Sequence, residues 1–232
     1  MPDLVIVVPS RGRPEAVAEL ALACKQTCTA DTVLLVAVDS DDPTLPQYQA
    51  PPGTQVFFTW APPDSGHVGA INWAAARALE DFAPFAIGKL DDDHRPRSVG
   101  WDTSLIAALR QMGTGIVYGN DLFQGAALPT APVMTADIVA ALGYMGPPSL
   151  RHLMVDNFWR DLGDEAGCLR YLPGVVVEHM HPMAGKVAWT EGHQRVNAPA
   201  AYERDGAAYL SYRSEQFAAD VAKVRALRST VT

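Results

Sequence analysis

Short apolar runs that end in polar clusters, with helix-spaced segments between them, restrict this chain more than any other feature. Residues 4–8 (LVIVV), 32–38, 56–59 and 85–90 are short and largely apolar, which is how strands buried on both faces read. The first run is followed by Pro9-Ser10-Arg11-Gly12-Arg13-Pro14. Pro14 suits the first turn of a helix whose face recurs at Val17, Leu20, Ala21 and Cys24. Val68, Ile71, Ala75 and Phe82 mark a second helix, and Trp101, Leu105, Leu109 and Met112 a third. Strands alternating with helices predict an α/β chain with a Rossmann-like, mostly parallel sheet and right-handed crossovers. Ligands of such sheets bind beyond the carboxyl ends of the strands. Those ends carry Ser10-Arg11, Asp39 to Asp41, and Asp91-Asp92-Asp93, so three polar clusters are expected on one edge.

After Gly119 the pattern loosens. A short helix is expected over residues 136–142 with Gly143 as its stop, and another around Leu150, Leu153, Phe158 and Leu162. Residues 175–177 read as a strand leading into Glu178-His179-Met180-His181. Leu210, Ser214, Phe217, Val221 and Val224 then form a helical stripe, a possible surface for a homodimer. Apolar residues make up 48% of the chain, enough for a sizeable core. The net charge of −8 argues against a surface built to grip a polyanion, although a local basic patch would still admit a nucleic-acid acceptor. The opening apolar run is too short for a signal-peptide core or a membrane span, and Cys24, Cys28 and Cys168 show no framework spacing. Free thiols and a cytoplasmic location are the expectation.

Several residues could carry chemistry. Three adjacent carboxylates at Asp91, Asp92 and Asp93 repel one another unless cations neutralise them. In extended chain Asp91 and Asp93 face the same way and can share a ligand; hard oxygen donors suit Mg²⁺ or Mn²⁺. A solvated acidic turn is the plain alternative. His179 and His181 alternate at a strand end, so either could join that site and shift preference toward Mn²⁺, or both could be ordinary loop histidines. Asp156 lies among Val155, Phe158 and Trp159, surroundings that raise a carboxyl pKa toward that of a general base; the alternative is a helix-surface aspartate. Asp121 and Asp137 are weaker candidates of the same kind. Arg11 and Arg13 could meet a base or a phosphate, or be solvated. Trp101, Trp159 and Trp189 could stack on a sugar but read first as core.

Taken together, these segments resemble the inverting glycosyltransferases of the GT-A fold, of the family 2 type. The likeness runs through Val7-Val8-Pro9-Ser10-Arg11-Gly12-Arg13-Pro14, Val38-Asp39-Ser40-Asp41-Asp42, Gly66-His67-Val68-Gly69-Ala70-Ile71-Asn72, Asp91-Asp92-Asp93 at the DxD position, Asp156-Asn157-Phe158-Trp159, and His179 or His181. It covers roughly residues 4–182. The resemblance implies a GT-A-like catalytic domain over residues 1–195, with a nucleotide-sugar half (1–120) and an acceptor half (121–195), and a C-terminal helical extension over 196–232. It implies a UDP- or GDP-linked sugar held by Pro9, Ser10, Arg11, Arg13, Asp39 and Asp41, with Gly69, Asn72, Lys89, Asp91, Asp92 and Trp159 completing the pocket. Asp91, Asp93, His179 and His181 would hold a divalent metal, Mn²⁺ or Mg²⁺, and Asp156 would be the base. The family usually has an acid just before that base, where this chain has Val155. A nucleotidyltransferase, or a GT-A-shaped binding module without turnover, stays open as an alternative.

Overall fold

A strand whose seven residues are all buried, as in β1 (Leu4–Ser10), needs a neighbour on each edge and a helix layer on each face. The structure, a computed structural model, describes residues 1–229, the side chain of Glu191 aside, and supplies all four. β1 leads into α1 (Pro14–Thr27), β2 (Thr32–Asp39), β3 (Val56–Ala61), α2 (Gly66–Phe82) and β4 (Ala86–Lys89). Then come β5 (His94–Pro96), α3 (Trp101–Met112), β6 (Ile116–Asn120), β7 (Pro132–Thr135), α4 (Ala136–Leu142) and α5 (Val155–Glu165). β8 (Leu169–His179), α6 (Glu191–Val196), α7 (Pro199–Glu215) and α8 (Phe217–Ser229) complete the chain.

The sheet has the order β3-β2-β1-β4-β7-β6-β8-β5. β1 pairs parallel with β2 and β4, and β2 with β3, as the alternating pattern predicts. The other half is mixed. β7 pairs antiparallel with both β4 and β6, β6 pairs parallel with β8, and β5 pairs antiparallel with the end of β8. The sequence does not announce β5 or β7, because each is only three or four residues long and begins or ends at a proline. α1 and α3 close one face through Val17, Leu20, Trp101 and Leu105. α2, α4 and α5 close the other through Val68, Ile71, Ile138 and Phe158, and Tyr212, Phe217 and Val224 of α7 and α8 pack into that same core.

Two sequence expectations change here. The helix anticipated from Leu150 begins only at Val155, because Met154 takes a left-handed conformation (φ 68°) and the preceding residues form a turn. The C-terminal stripe is two helices broken at Gln216, so the phase resets: Leu210 is 70% exposed and Ser214 is exposed, while Tyr209 and Tyr212 face inward. Among the described residues, no helix is long and apolar enough to cross a membrane.

β8 changes partners midway. Gly119 faces Leu172 but Asn120 faces Val176, so residues 173–175 are extra on β8 and kink it from β6 toward β5. A Cβ at Gly119 would run into the Val175 carbonyl oxygen, which is why a glycine stands there.

α7 is anchored to the turn before α5 by Asp205, which is fully buried and accepts the backbone N–H of Arg151 (3.3 Å), His152 (2.9 Å) and Leu153 (2.7 Å). Burial would raise its pKa, but Arg204 and these three donors outweigh that and lower it. Its contribution is therefore present above the unfolded carboxylate value of about 3.9 and is lost as pH falls through the lower folded value. Asp205→Ala should cost about 2 kcal/mol at neutral pH, roughly 4–8 °C in Tm. Thermal unfolding of both proteins at pH 7 and in strong acid checks this, the two curves converging in acid. A difference unchanged by acid would remove the charge from the account.

Candidate functional site

The carboxyl ends of β1, β2 and β4 meet as the topology requires, and their side chains are already interlocked. After β1 the chain turns through Gly12 (φ 70°), whose N–H donates to Asp42 Oδ2 at 2.7 Å. Arg11 reaches across to the end of β2, pairing with Asp39 at 2.9 Å and Asp41 at 2.6 Å. The Ser10 hydroxyl donates to Asp92 Oδ2 at 2.7 Å, and Arg13 pairs with Asp92 Oδ1 at 2.9 Å. Tyr48 lies against Ser10 and accepts the Arg13 N–H.

The acidic triplet is a tight turn rather than extended chain: Asp92 turns away, while Asp91 and Asp93 bring ligand atoms to one cluster, as expected. Asp92 points back to Ser10 and Arg13. Burial, opposed by Arg13 and aided by Asp93, pushes its pKa up to about 7. Asp91 takes Lys89 Nζ at 2.6 Å, with His67 Nε2 3.5 Å and His94 Nδ1 3.7 Å away. Burial alone would raise its pKa; Lys89, with His67 and His94, reverses that and holds it below the ordinary carboxylate range. Asp93 has His179 Nε2 at 3.3 Å and His193 Nε2 at 3.9 Å, which likewise outweigh burial and hold it low. The same pairing raises the His179 pKa against the effect of burial.

The β5–β8 ladder sets His94 directly opposite His179, and their rings stack at 4.3 Å. Ligand atoms of Asp91, Asp93, His94 and His179 all lie within 4.8 Å of one another. Asp91 Oδ1, Asp93 Oδ1, His94 Nε2 and His179 Nδ1 are buried with no hydrogen-bond partner. Buried polar atoms are rarely left so, and a divalent ion among mixed carboxylate and imidazole donors would satisfy them. The residues present therefore fit a divalent metal. His94 is the weaker donor, because its Nδ1 already accepts the Asp91 N–H at 2.9 Å. Its place is behind His179, and burial followed by His179 lowers its pKa to about 3.

All six histidines of the chain gather around this turn. His67 packs against His152 at 4.7 Å on the Asp91 side, and burial holds His67 well below its usual pKa and His152 at about 4. On the Asp93 side His181 lies 5.1 Å from His179 and 5.7 Å from His193. His181 caps a short turn, accepts the Met183 N–H and stacks on Phe123. Burial and then His179 lower its pKa. A cavity of about 530 Å³, lined in part by Arg13, Asp93, Arg95, Thr190 and His193, opens beside the cluster.

Other expected residues lie close by, with their side chains committed. Lys89 is 2% exposed and also donates to the Thr130 carbonyl at 3.2 Å. Burial opposes its charge, but Asp91 and Asp156 raise its pKa. Trp159 is buried with its N–H on the Met145 carbonyl, so its ring backs Lys89 instead of facing a sugar. Asn72 spends its amide on the backbone of Met145 and Gly146 and so braces the loop before α5, and Gly69 lies within α2. Pro9 is buried in β1, and Trp101 is core, whereas Trp189 is exposed beside His193. Asp156, in the first turn of α5, is partly buried, and burial raises its pKa while Lys89 restrains it. Asp121 is no base candidate: it accepts the N–H groups of Phe123, Gln124 and Gly125 and the Thr130 hydroxyl. Asp137 binds Thr114 beside Thr135, which pairs with the start of β4, at the opposite edge of the sheet. His152 and His193 carry no motif of their own, and His67 belongs only to the Gly66–Asn72 stretch; the fold brings all three to the turn.

No protein-family model matches the sequence, and no curated protein matches it. Solved structures do. A mannosyltransferase from Pyrobaculum calidifontis, solved with GDP-Man and Mn²⁺, superimposes with a TM-score of 0.61 at 13% identity, covering 97% of this chain and 80% of that one. The TarS 1–349 structure from S. aureus gives 0.57 at 12% identity, covering 75% of this chain, and this chain spans only 59% of its length. A complex of the same fragment with UDP-GlcNAc gives 0.58 at 10% identity, covering 84% of this chain and 64% of that one. The chain has the GT-A glycosyltransferase fold, with an aspartate- and histidine-rich metal-type cluster at the edge where that fold's strands end.

The diverging carboxylates give unequal expectations. Asp93→Asn should weaken Mn²⁺ binding measured with a nucleoside diphosphate on the order of 100-fold, outer contacts alone being worth 10–100-fold. Asp92→Asn should cost less than about tenfold. His179→Ala should weaken binding more than His181→Ala. Calorimetry of the four variants decides; greater sensitivity at Asp92 would mean that the turn is misregistered by one residue.

Proposed function

We propose that this chain is a metal-dependent, inverting glycosyltransferase of the family 2 type, taking its sugar from a UDP- or GDP-linked donor. One observation carries the reading: Ser10 to Arg13, Asp39, Asp41 and the Asp91–Asp93 turn converge on one sheet edge, with buried, unpartnered ligand atoms at the meeting point. The solved neighbours of this fold that hold UDP-GlcNAc or GDP-Man with Mn²⁺ support a nucleotide-sugar donor here.

In this reading Arg11 with Asp39 and Asp41 receives the nucleoside, their mutual ion pairs keeping the polar edge pre-shaped before a ligand arrives. Asp91, Asp93 and His179 would hold a divalent ion, which would supply positive charge against the negative charge developing on the diphosphate leaving group. Asp156 takes the proton of the acceptor hydroxyl as it attacks the anomeric carbon from the face opposite the diphosphate. Its raised pKa makes it a stronger base than a solvated carboxylate, burial raising it and Lys89 restraining the rise. Val155, in the place where the family usually has an acid, is a core residue, so Asp156 would act without that neighbour.

Incubation with UDP- and GDP-sugars, with and without Mn²⁺, should release nucleoside diphosphate only with metal; pyrophosphate release would instead indicate nucleotidyl transfer, and no product a binding module. Asp156→Asn should lower transfer roughly 10²-fold or more at saturating donor while donor affinity changes little. A near-wild-type rate would end the assignment of the base.

A further inference from the structure

The acidic turn is partly neutralised before any ligand arrives. Asp92 has its own counter-ion in Arg13, so Asp91 and Asp93 are the charges left to a divalent ion. Asp91 Oδ2 is already taken by Lys89 at 2.6 Å, while Oδ1 makes no hydrogen bond and has only His67 Nε2 nearby, at 3.5 Å. Lys89 and Asp91 are two apart at the end of β4. The ammonium is not a mobile counter-ion: the side chain is buried, it also binds the Thr130 carbonyl at 3.2 Å, and it lies 5.6 Å from the Trp159 ring centre. Thr130 is itself fixed by its hydroxyl bond to Asp121. Two carboxylates and one fixed cation therefore leave about one net negative charge facing an incoming ion, with imidazoles as the other donors.

We propose that Lys89 is a built-in counter-cation that keeps the turn from binding a free divalent ion, so that the site accepts the ion only together with a diphosphate. The inference rests on the metal-dependent reading above and adds an order to it. Hard divalent ions are commonly held by one or two carboxylates plus substrate phosphates. Here the phosphates supply the negative charge that Lys89 has cancelled. With the donor absent, the ammonium and the ion compete for the same carboxylate.

The test is Mn²⁺ binding, followed by calorimetry and by Tm, for the wild type, Lys89→Gln and Lys89→Arg, alone and with UDP or GDP. Gln can still donate a hydrogen bond to Asp91 without the charge, and Arg keeps the charge. The wild type and Lys89→Arg should bind Mn²⁺ alone weakly and bind it strongly with nucleotide. Lys89→Gln should bind Mn²⁺ alone about tenfold or more tighter than the wild type, and the nucleotide effect should shrink accordingly. It should also unfold at a lower temperature, and Mn²⁺ alone should restore its Tm, a shift absent from the wild type. Equal affinity of the wild type and Lys89→Gln for Mn²⁺ alone, with nucleotide-dependent binding intact in both, would overturn the role of Lys89 and leave the metal site standing. If no form binds Mn²⁺ even with nucleotide, the metal site falls and this inference with it.

Discussion

Three consecutive carboxylates end β4 in a part of the molecule where water is scarce, and each must find a compensating group or stay protonated. Each finds it on a different element. Asp91 uses Lys89, the last residue of β4, Asp92 uses Ser10 and Arg13 from the β1–α1 junction, and Asp93 uses His179 at the end of β8. Because the partners are so far apart in sequence, satisfying the triplet joins both halves of the sheet at a single point. The net worth of such buried pairs is small or even unfavourable compared with an apolar core, while breaking one is costly. Their retention at this edge is better explained by what they position than by the stability they add.

The two faces of the sheet do different things for that edge. α1 and α3 pack on a mainly apolar core beneath the β1–α1 junction, and the buried Asp102 of α3 ties the turn after α1 to it by accepting from Thr29, Ala30 and Thr32. The other face is built in layers, from α2 through α4 and α5 out to α7 and α8. Asn72 of α2 and Asp205 of α7 both spend their side chains on backbone groups of residues 145–153, the loop that delivers α5. The position of Asp156 is thus set from two sides, one of them the far C-terminal segment. A loop carrying so many side-chain-to-backbone bonds behaves as a fixed support.

The parallel half of the fold and its polar edge were legible because local pattern and topology agree there. Buried runs at residues 4–8 and 32–38 admit little but parallel strands, and the carboxyl-edge rule then places Arg11, Asp39 and Asp91 together. Less was legible where tertiary context overrides local signal. β5 and β7 are too short to show a period, and the C-terminal stripe was read straight through the break at Gln216. At the edge itself, a residue type was a poor guide to exposure. Lys89, Asn72 and Trp159 sit near the site but inside it, each holding another residue in place. Of the six histidines, only His179 and His181 were legible, as alternating residues at a strand end; the folded sheet alone brings His67, His94, His152 and His193 to the same turn.

The kink in β8 ties length to chemistry. His179 faces Asp93 because residues 173–175 are spare and let the strand leave β6 and re-pair with β5 in a fixed register. Side chains alternate faces along a strand, so one residue more or fewer in that stretch would present Glu178 or Met180 to the turn in place of the imidazole. In the descent of such chains, the count of residues between Leu172 and Val176 would then be held as firmly as the identity of the histidine, even though no side chain of that stretch enters the ligand set. A gap falling there in a comparison of relatives would mark a change of cluster, not a harmless variation in loop length.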